Sequence, residues 1–130
     1  MPVSHTLGKE ERLCGERVIS NLFENGRTFF LSPYKAVWIK ITDSCSFPSR
    51  FAISVSKRRF KRAVKRNLIK RRTREIFRTN KQILNTAVTD GGQVHLMVIY
   101  TSDKLLPLTE LEASMKKILH HIAQQYAESV

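Results

Sequence analysis

The strongest constraint on this chain is where its charge lies. Thirteen lysines and arginines fall between Lys57 and Lys81 against one acid, Glu75. The remainder balances, ten bases against ten acids, so this one stretch supplies the formal net charge of +12. Apolar residues recur within it at helical spacing, and it follows segments that alternate with the period of a strand. With 42% hydrophobic residues in the chain, the basic stretch belongs to a folded element and not to a disordered tail. The fold must therefore carry a cationic helix on its surface, and a local excess of this size suits a polyanion.

A chain of 130 residues fits a single domain, residues 1–130, with one core that needs neither disulfides nor a structural metal. Met1–Arg12 holds no apolar run of the signal-peptide kind, and no segment approaches the ~20 apolar residues of a membrane span. Cys14 and Cys45 stand in no CxxC spacing, which predicts two reduced thiols and a cytoplasmic location.

Along the chain, Val18, Ile19, Leu22 and Phe23 set out a first helix over 15–24, stopped by Asn25-Gly26. A short strand is predicted over 27–31, ended by Ser32-Pro33. Tyr34–Ile41 alternates, with Val37, Ile39 and Ile41 on one face and Tyr34, Ala36, Trp38 and Lys40 on the other. Phe51–Ser56 alternates too, with Phe51, Ile53 and Val55 set against Ala52, Ser54 and Ser56. A hairpin between these two strands is expected, joining the face of Trp38 to that of Ser54. A helix over 62–80, a turn at Asp90-Gly91-Gly92, a strand over 94–100 and a last helix follow. Thr109 and Glu112 have the spacing of a capping box, and Leu111, Met115, Ile118, Leu119, Ile122 and Tyr126 form the last helix's apolar stripe. The expected fold is an α+β sandwich of order α-β-β-β-α-β-α on a mixed sheet.

At ~100° per residue, Arg66, Asn67, Lys70, Arg71, Arg74 and Arg78 share an arc of roughly 140° on the basic helix. Val64, Leu68, Ile69 and Ile76 fall opposite and are expected to seat the helix on the sheet. Phe77 points toward the basic side, with a place beneath the C-terminal helix as its expected packing. A merely solvated face mixes signs, whereas this one stacks Arg66, Lys70 and Arg74 at repulsive spacing. Repulsion retained on folding implies a partner that relieves it. Arginine forks match phosphates in a bidentate manner, which favours nucleic acid. A membrane surface requires a broad exposed apolar face beside the charge, and the apolar residues here serve the core.

Tyr34, Trp38 and Lys40, with the small Ser54 and Ser56, outline a shallow groove in which unpaired bases stack, a preference for RNA over duplex DNA. Trp38 reads equally as a core residue under the last helix. Phe23 and Ile19 read either as a wall of that groove or as core. His5, His95, His120 and His121 lie in no metal-binding spacing, the acids are scattered singly, and no glycine-rich phosphate loop is present. The expected polypeptide binds RNA and does not itself cut a phosphodiester. A non-catalytic RNA-binding module such as a ribosomal protein or RNA chaperone is the other reading.

Arg66-Asn67-Leu68-Ile69-Lys70-Arg71-Arg72-Thr73-Arg74 resembles the RNxxKRxxR motif of the bacterial ribonuclease P protein family. Ser54-Val55-Ser56-Lys57 and Ala63-Val64 precede it as they do in that family, and the likeness extends from Arg12-Leu13 to Leu108-Thr109 and the last helix. Ile19 stands where the family often has an aromatic residue, and Trp38 where tyrosine is common. The resemblance implies the protein subunit of a ribonucleoprotein whose RNA, with Mg²⁺, removes the 5′ leader of precursor tRNA. It implies that Arg66, Asn67, Lys70, Arg71 and Arg74 lie against the catalytic RNA. The neighbouring Lys57, Arg58, Arg59 and Arg62 would bridge RNA subunit and leader. The sheet groove, Phe23, Tyr34, Trp38, Lys40, Ser54 and Ser56, would hold the leader and lower the Mg²⁺ requirement. No catalytic or metal-ligating side chain, membrane or further protein partner is implied. A left-handed β-α-β crossover is also implied by the resemblance, against the right-handed rule.

Overall fold

A computed structural model describes Leu13, residues 15–42 and residues 48–128. Helix α1 (Glu16–Asn25) leads into strands β1 (Arg27–Leu31), β2 (Tyr34–Ile41) and β3 (Ser49–Val55). Helix α2 (Ala63–Asn80), a single turn α3 (Gln82–Asn85), strand β4 (Gln93–Tyr100) and helix α4 (Leu108–Glu128) complete the chain. This is the expected α+β order with one added turn between the basic helix and the last strand. Cys14, Cys45, His5 and most of the loop after β2 lie outside the described residues.

The sheet order is β1-β2-β4-β3, with β2 antiparallel to both β1 and β4, and β3 parallel to β4. The expected hairpin between β2 and β3 is therefore not formed, because β4 lies between them. The reason is burial. β4 is apolar or buried along nearly its whole length, from Val94 to Tyr100, so it takes the central position with both faces covered. β3 is left at an edge, joined to β4 through α2 and α3 as a parallel β-α-β unit.

One face of the sheet carries the larger core. Tyr34, Ala36 and Trp38 of β2 join Phe51, Ile53 and Val55 of β3 and Leu96, Val98 and Tyr100 of β4 beneath α2 and α4. All six predicted stripe residues of α4 are buried here. The capping box is not used as expected: α4 starts at Leu108, and the Pro107 carbonyl accepts the Leu111 N–H (3.2 Å), which places Thr109 inside the first turn. On the opposite face a smaller cluster of Leu13, Leu22, Val37 and Met97 lies under α1. The Leu13 N–H donates to the Phe51 carbonyl at the outer edge of β3 (2.9 Å), and Gly26 abuts the Trp38 carbonyl. Because Phe51, Leu96 and Trp38 are register partners, α1 crosses the strands. Gly26 is required for space: a Cβ there would collide with the Leu22 carbonyl and sit 3.0 Å from that of Trp38.

A polar clamp closes the far end of the sheet. The Asp90 carboxylate accepts the Tyr126 hydroxyl (2.5 Å) and the Gly92 N–H (3.0 Å), and it pairs with Lys40 (3.3 Å). The Tyr126 hydroxyl, the Gly92 amide and Lys40 together hold the Asp90 carboxyl at about 2. Lys40 also sits 4.4 Å from the Tyr126 ring centroid. A Cβ on Gly92 would stand 2.6 Å from the Tyr126 hydroxyl, so only glycine leaves the clamp intact.

His95 is buried on the α1 side of β4, with its Nε2 2.8 Å from Gln93 Oε1 and no partner for Nδ1 among the described residues. Burial, and then the charge of Arg50, lower its pKa below 6.5. The unfolded chain accepts a proton at about 6.5 while the folded chain resists it, so this contribution to stability is present above that pH and lost as pH falls below it. Melting at pH 5.5 is therefore expected below that at pH 7.5, with a smaller gap in a His95→Leu chain.

Candidate nucleic-acid interface

Helix α2 rests on the sheet through Ile69, Thr73, Ile76 and Phe77, all buried. This seat is rotated from the expected one: Val64 is 79% exposed and Leu68 only half-buried. Phe77, read from sequence as pointing to the basic side, packs edge-on against Phe51 of β3, ring centroids 4.1 Å apart. Thr73 escaped the sequence reading because it is polar. Its hydroxyl lies 2.9 Å from that of Tyr34, so the helix is pinned to β2 by a buried pair, and burial raises Tyr34 to about 12. A buried threonine at i+4 from Ile69 was the available signal.

Rotation of the seat sorts the basic residues. Asn67, Arg71 and Arg74 are exposed on the outer side, with Lys70 half-buried at its margin. Among the described residues Lys70, Arg71 and Arg74 make no ion pair, whereas Glu75, the front's acid, is taken by Arg78 one turn on. That pairing holds the Glu75 carboxyl below its ordinary range and raises Arg78. Arg66 differs from the rest. Its Nη1 donates to the carbonyls of Phe60 (2.7 Å) and Lys61 (2.9 Å), so part of its guanidinium ties the preceding loop to the helix.

That loop presents the second group of bases. The Ser56 carbonyl accepts the N–H groups of Arg59 (3.3 Å) and Phe60 (3.2 Å), and the Ser56 Oγ accepts that of Arg58 (3.1 Å). Phe60 anchors the turn in the core, leaving Lys57, Arg58 and Arg59 exposed above it. Arg59 pairs with Asp103 (2.8 Å) across a cleft of about 510 Å³ lined also by Ser56 and Arg58. Helix α2 begins at Ala63 with no side-chain cap from Arg62 and no acid in its first turn. Its positive dipole end thus meets Arg62 and Lys65, an arrangement that an external anion would relieve.

The expected groove is divided between the two faces of the sheet. Tyr34 and Trp38 are core under α2 and α4, at 0% and 2% exposure, and Lys40 belongs to the Asp90 clamp, so none of the three can meet a ligand in a groove with Ser54. The sequence assignment failed because β2 is apolar on both faces, and polar-out alternation cannot choose between them. Ser54, Ser56 and Phe23 remain exposed, and Ser54 and Phe23 lie on the α1 side. There the floor of a groove beside α1 is the register row Lys35–Ile99–Ser54, next to the row Val37–Met97–Ala52, whose Val37 and Met97 are buried under α1. Asn25 shares a cleft with Ile39 and Lys40, which assigns the opposite flank of α1, Ile19 and Phe23, to the Lys35–Ile99–Ser54 side. Ile19 is half-buried and Phe23 is 51% exposed. Lys35 and Ile99 went unremarked in the sequence. The near-continuous apolar run of β4, which marks a central strand, was the signal that could have placed them.

No three of His, Cys, Asp and Glu come together among the described residues in a way that could hold a metal ion, and no described helix is long and apolar enough to cross a membrane. A basic helix and loop on one side of the sheet, and the exposed Phe23 beside the Lys35–Ile99–Ser54 row on the other, are the features of an RNA-binding subunit. The family model for ribonuclease P matches residues 7–123. The ribonuclease P protein component of Porphyromonas gingivalis is 35% identical over 124 residues, covering 94% of this chain and 90% of the relative. That of Petrotoga mobilis is 41% identical over 76 residues, 58% and 61% of the two chains. The ribonuclease P protein of Thermotoga maritima superposes with a TM-score of 0.70 at 23% identity, covering 86% of this chain and 97% of that one. The Staphylococcus aureus protein gives 0.66 at 22% identity, covering 84% and 92%. The chain belongs to the ribonuclease P protein family, the protein components of a ribonucleoprotein endoribonuclease that matures tRNA 5′ ends with its RNA subunit.

Proposed function

We propose that this subunit contacts two RNAs through two surfaces. Lys70, Arg71 and Arg74, with Asn67 and the remaining donors of Arg66, bind the phosphates of the catalytic RNA. The loop bases Lys57, Arg58, Arg59 and Arg62 continue that contact around the end of β3. The single-stranded 5′ leader of precursor tRNA lies in the α1-side groove, against Phe23 and over Ile99 and Ser54. The reading rests chiefly on one observation: α2 retains Lys70 and Arg74 at repulsive spacing with no acidic partner among the described residues, while the exposed Phe23 stands beside the Lys35–Ile99–Ser54 row on the other face of the sheet.

Mg²⁺ is proposed as the metal of the RNA subunit, with phosphate oxygens as its ligands. The polypeptide's part is electrostatic: its cations neutralise phosphates that would otherwise require additional Mg²⁺, and its groove holds the leader beside the scissile bond. Protein side chains supply no nucleophile in this scheme.

Removal of one stacking ring is expected to cost about tenfold in affinity. In reconstituted holoenzyme, Phe23→Ala should weaken binding of leader-bearing precursor by about that factor and leave binding of leaderless tRNA unchanged. Equal loss for both substrates would remove the leader from the groove.

A further inference from the structure

The groove floor does not end at β2. Phe30 of β1 is the register partner of Lys35, Lys35 of Ile99, and Ile99 of Ser54, so one row crosses all four strands. Phe29 and Leu31 pack into the larger core, and Phe29 stacks on His121 at 3.8 Å between centroids, which turns Phe30 to the α1 side. Phe30 is 62% exposed, more than Phe23, on a strand whose outer edge pairs with no strand among the described residues. A large apolar ring on a free sheet edge is a liability for aggregation and contributes little to the core. Beside it Lys35 is exposed and makes no ion pair among the described residues. At the other end the row reaches Ser54 and then the loop that displays Lys57 and Arg58.

Resting on the leader-groove reading, we infer that Phe30 and Lys35 form a distal stacking step for single-stranded RNA, extending leader recognition from the β3–α2 loop across the sheet to the β1 edge. Phe30 offers a ring face to a base, and Lys35 offers a charge to the neighbouring phosphate. The continuity of the row with the basic loop, in a chain of net charge +12, selects an RNA strand as the occupant. Nucleotides farther from the cleavage site would then still add affinity after those at Phe23 are placed.

The test uses holoenzyme reconstituted with the ribonuclease P RNA and precursor tRNAs whose leaders are lengthened one nucleotide at a time. Wild-type affinity should rise and then level off. Phe30→Ala should level off at a shorter leader, about tenfold weaker at full length, with unchanged binding of short-leader and leaderless tRNA. Phe30→Trp should restore the wild-type curve, and Lys35→Gln should flatten the salt dependence only for long leaders. Both sites are exposed, and unchanged melting of the free variants accompanies this outcome. The inference is overturned if Phe30→Ala follows the wild-type curve while Phe23→Ala loses its preference for leader, an outcome that leaves the groove reading standing. If neither variant distinguishes leader-bearing from leaderless tRNA, both fail. Loss of equal size at every length, or a change in self-association of the free protein with leader binding unaltered, also overturns it.

Discussion

Replacing Lys70, Arg71 and Arg74 together by alanine is expected to weaken binding of the ribonuclease P RNA by on the order of a hundred to a thousandfold while slightly stabilising the free protein. Each charge-assisted hydrogen bond to a phosphate contributes about 1.5 kcal/mol or more, which is about tenfold in affinity. The slope of log affinity against log salt should fall by about 0.7 to 0.9 for each phosphate no longer neutralised. The opposite sign on stability follows from geometry. Lys70 and Arg74 repel across one helical turn, a cost of a few tenths of a kcal/mol per like-charge pair, and alanine has the higher helix propensity. None of the three belongs to the buried seat of Ile69, Thr73, Ile76 and Phe77. A variant that binds RNA as wild type would show that the front of α2 faces solvent in the holoenzyme. Arg66→Ala is a less clean probe, since it also releases the carbonyls of Phe60 and Lys61.

The second large effect is Trp38→Ala, expected to destabilise the fold by about 3–5 kcal/mol, the usual cost of deleting a buried aromatic ring. Trp38 is 2% exposed within the core under α2 and α4, and the Arg27 guanidinium lies 5.4 Å from its ring centroid, over the ring. Leader-bearing and leaderless substrates should then suffer alike, in proportion to the folded fraction. Denaturant unfolding of the free protein measures the first part, and parallel binding of the two substrates the second. A Trp38→Ala chain of wild-type stability with selective loss of leader recognition would restore the groove to the face on which the sequence reading had put it.

That reversal shows which parts of this molecule are legible from its residues. Helix and strand positions follow from local patterns, and the stripe of α4 is carried by side chains that touch only one layer. The RNxxKRxxR pattern is local as well, nine consecutive residues of one helix, and it carries the family resemblance. Strand neighbours are a non-local property. β2 presents Tyr34, Ala36 and Trp38 on one face and Val37 and Ile39 on the other, both apolar, because helices cover the sheet on both sides. Without a polar face, alternation gives the two sets of residues and leaves open which of them meets α1. The central position of β4 decides the matter, and its near-continuous apolar run from Val94 to Tyr100, interrupted by His95, is the sequence mark of it. The seat of α2 was misjudged for a related reason: Val64 lies before the helix reaches the core, and the buried contacts there are completed by Thr73 and Phe77.

The central claim is that the chemistry belongs to the RNA and that this chain supplies binding surface. Its most direct test is cleavage of precursor tRNA at low Mg²⁺ by the purified protein alone, by the ribonuclease P RNA alone, and by the two combined. The account predicts an uncut substrate with protein alone, little product with RNA alone, and release of the intact leader with a mature 5′-phosphate end when they are combined. Cleavage by the protein in the absence of RNA, or failure of the protein to stimulate the RNA, would contradict it.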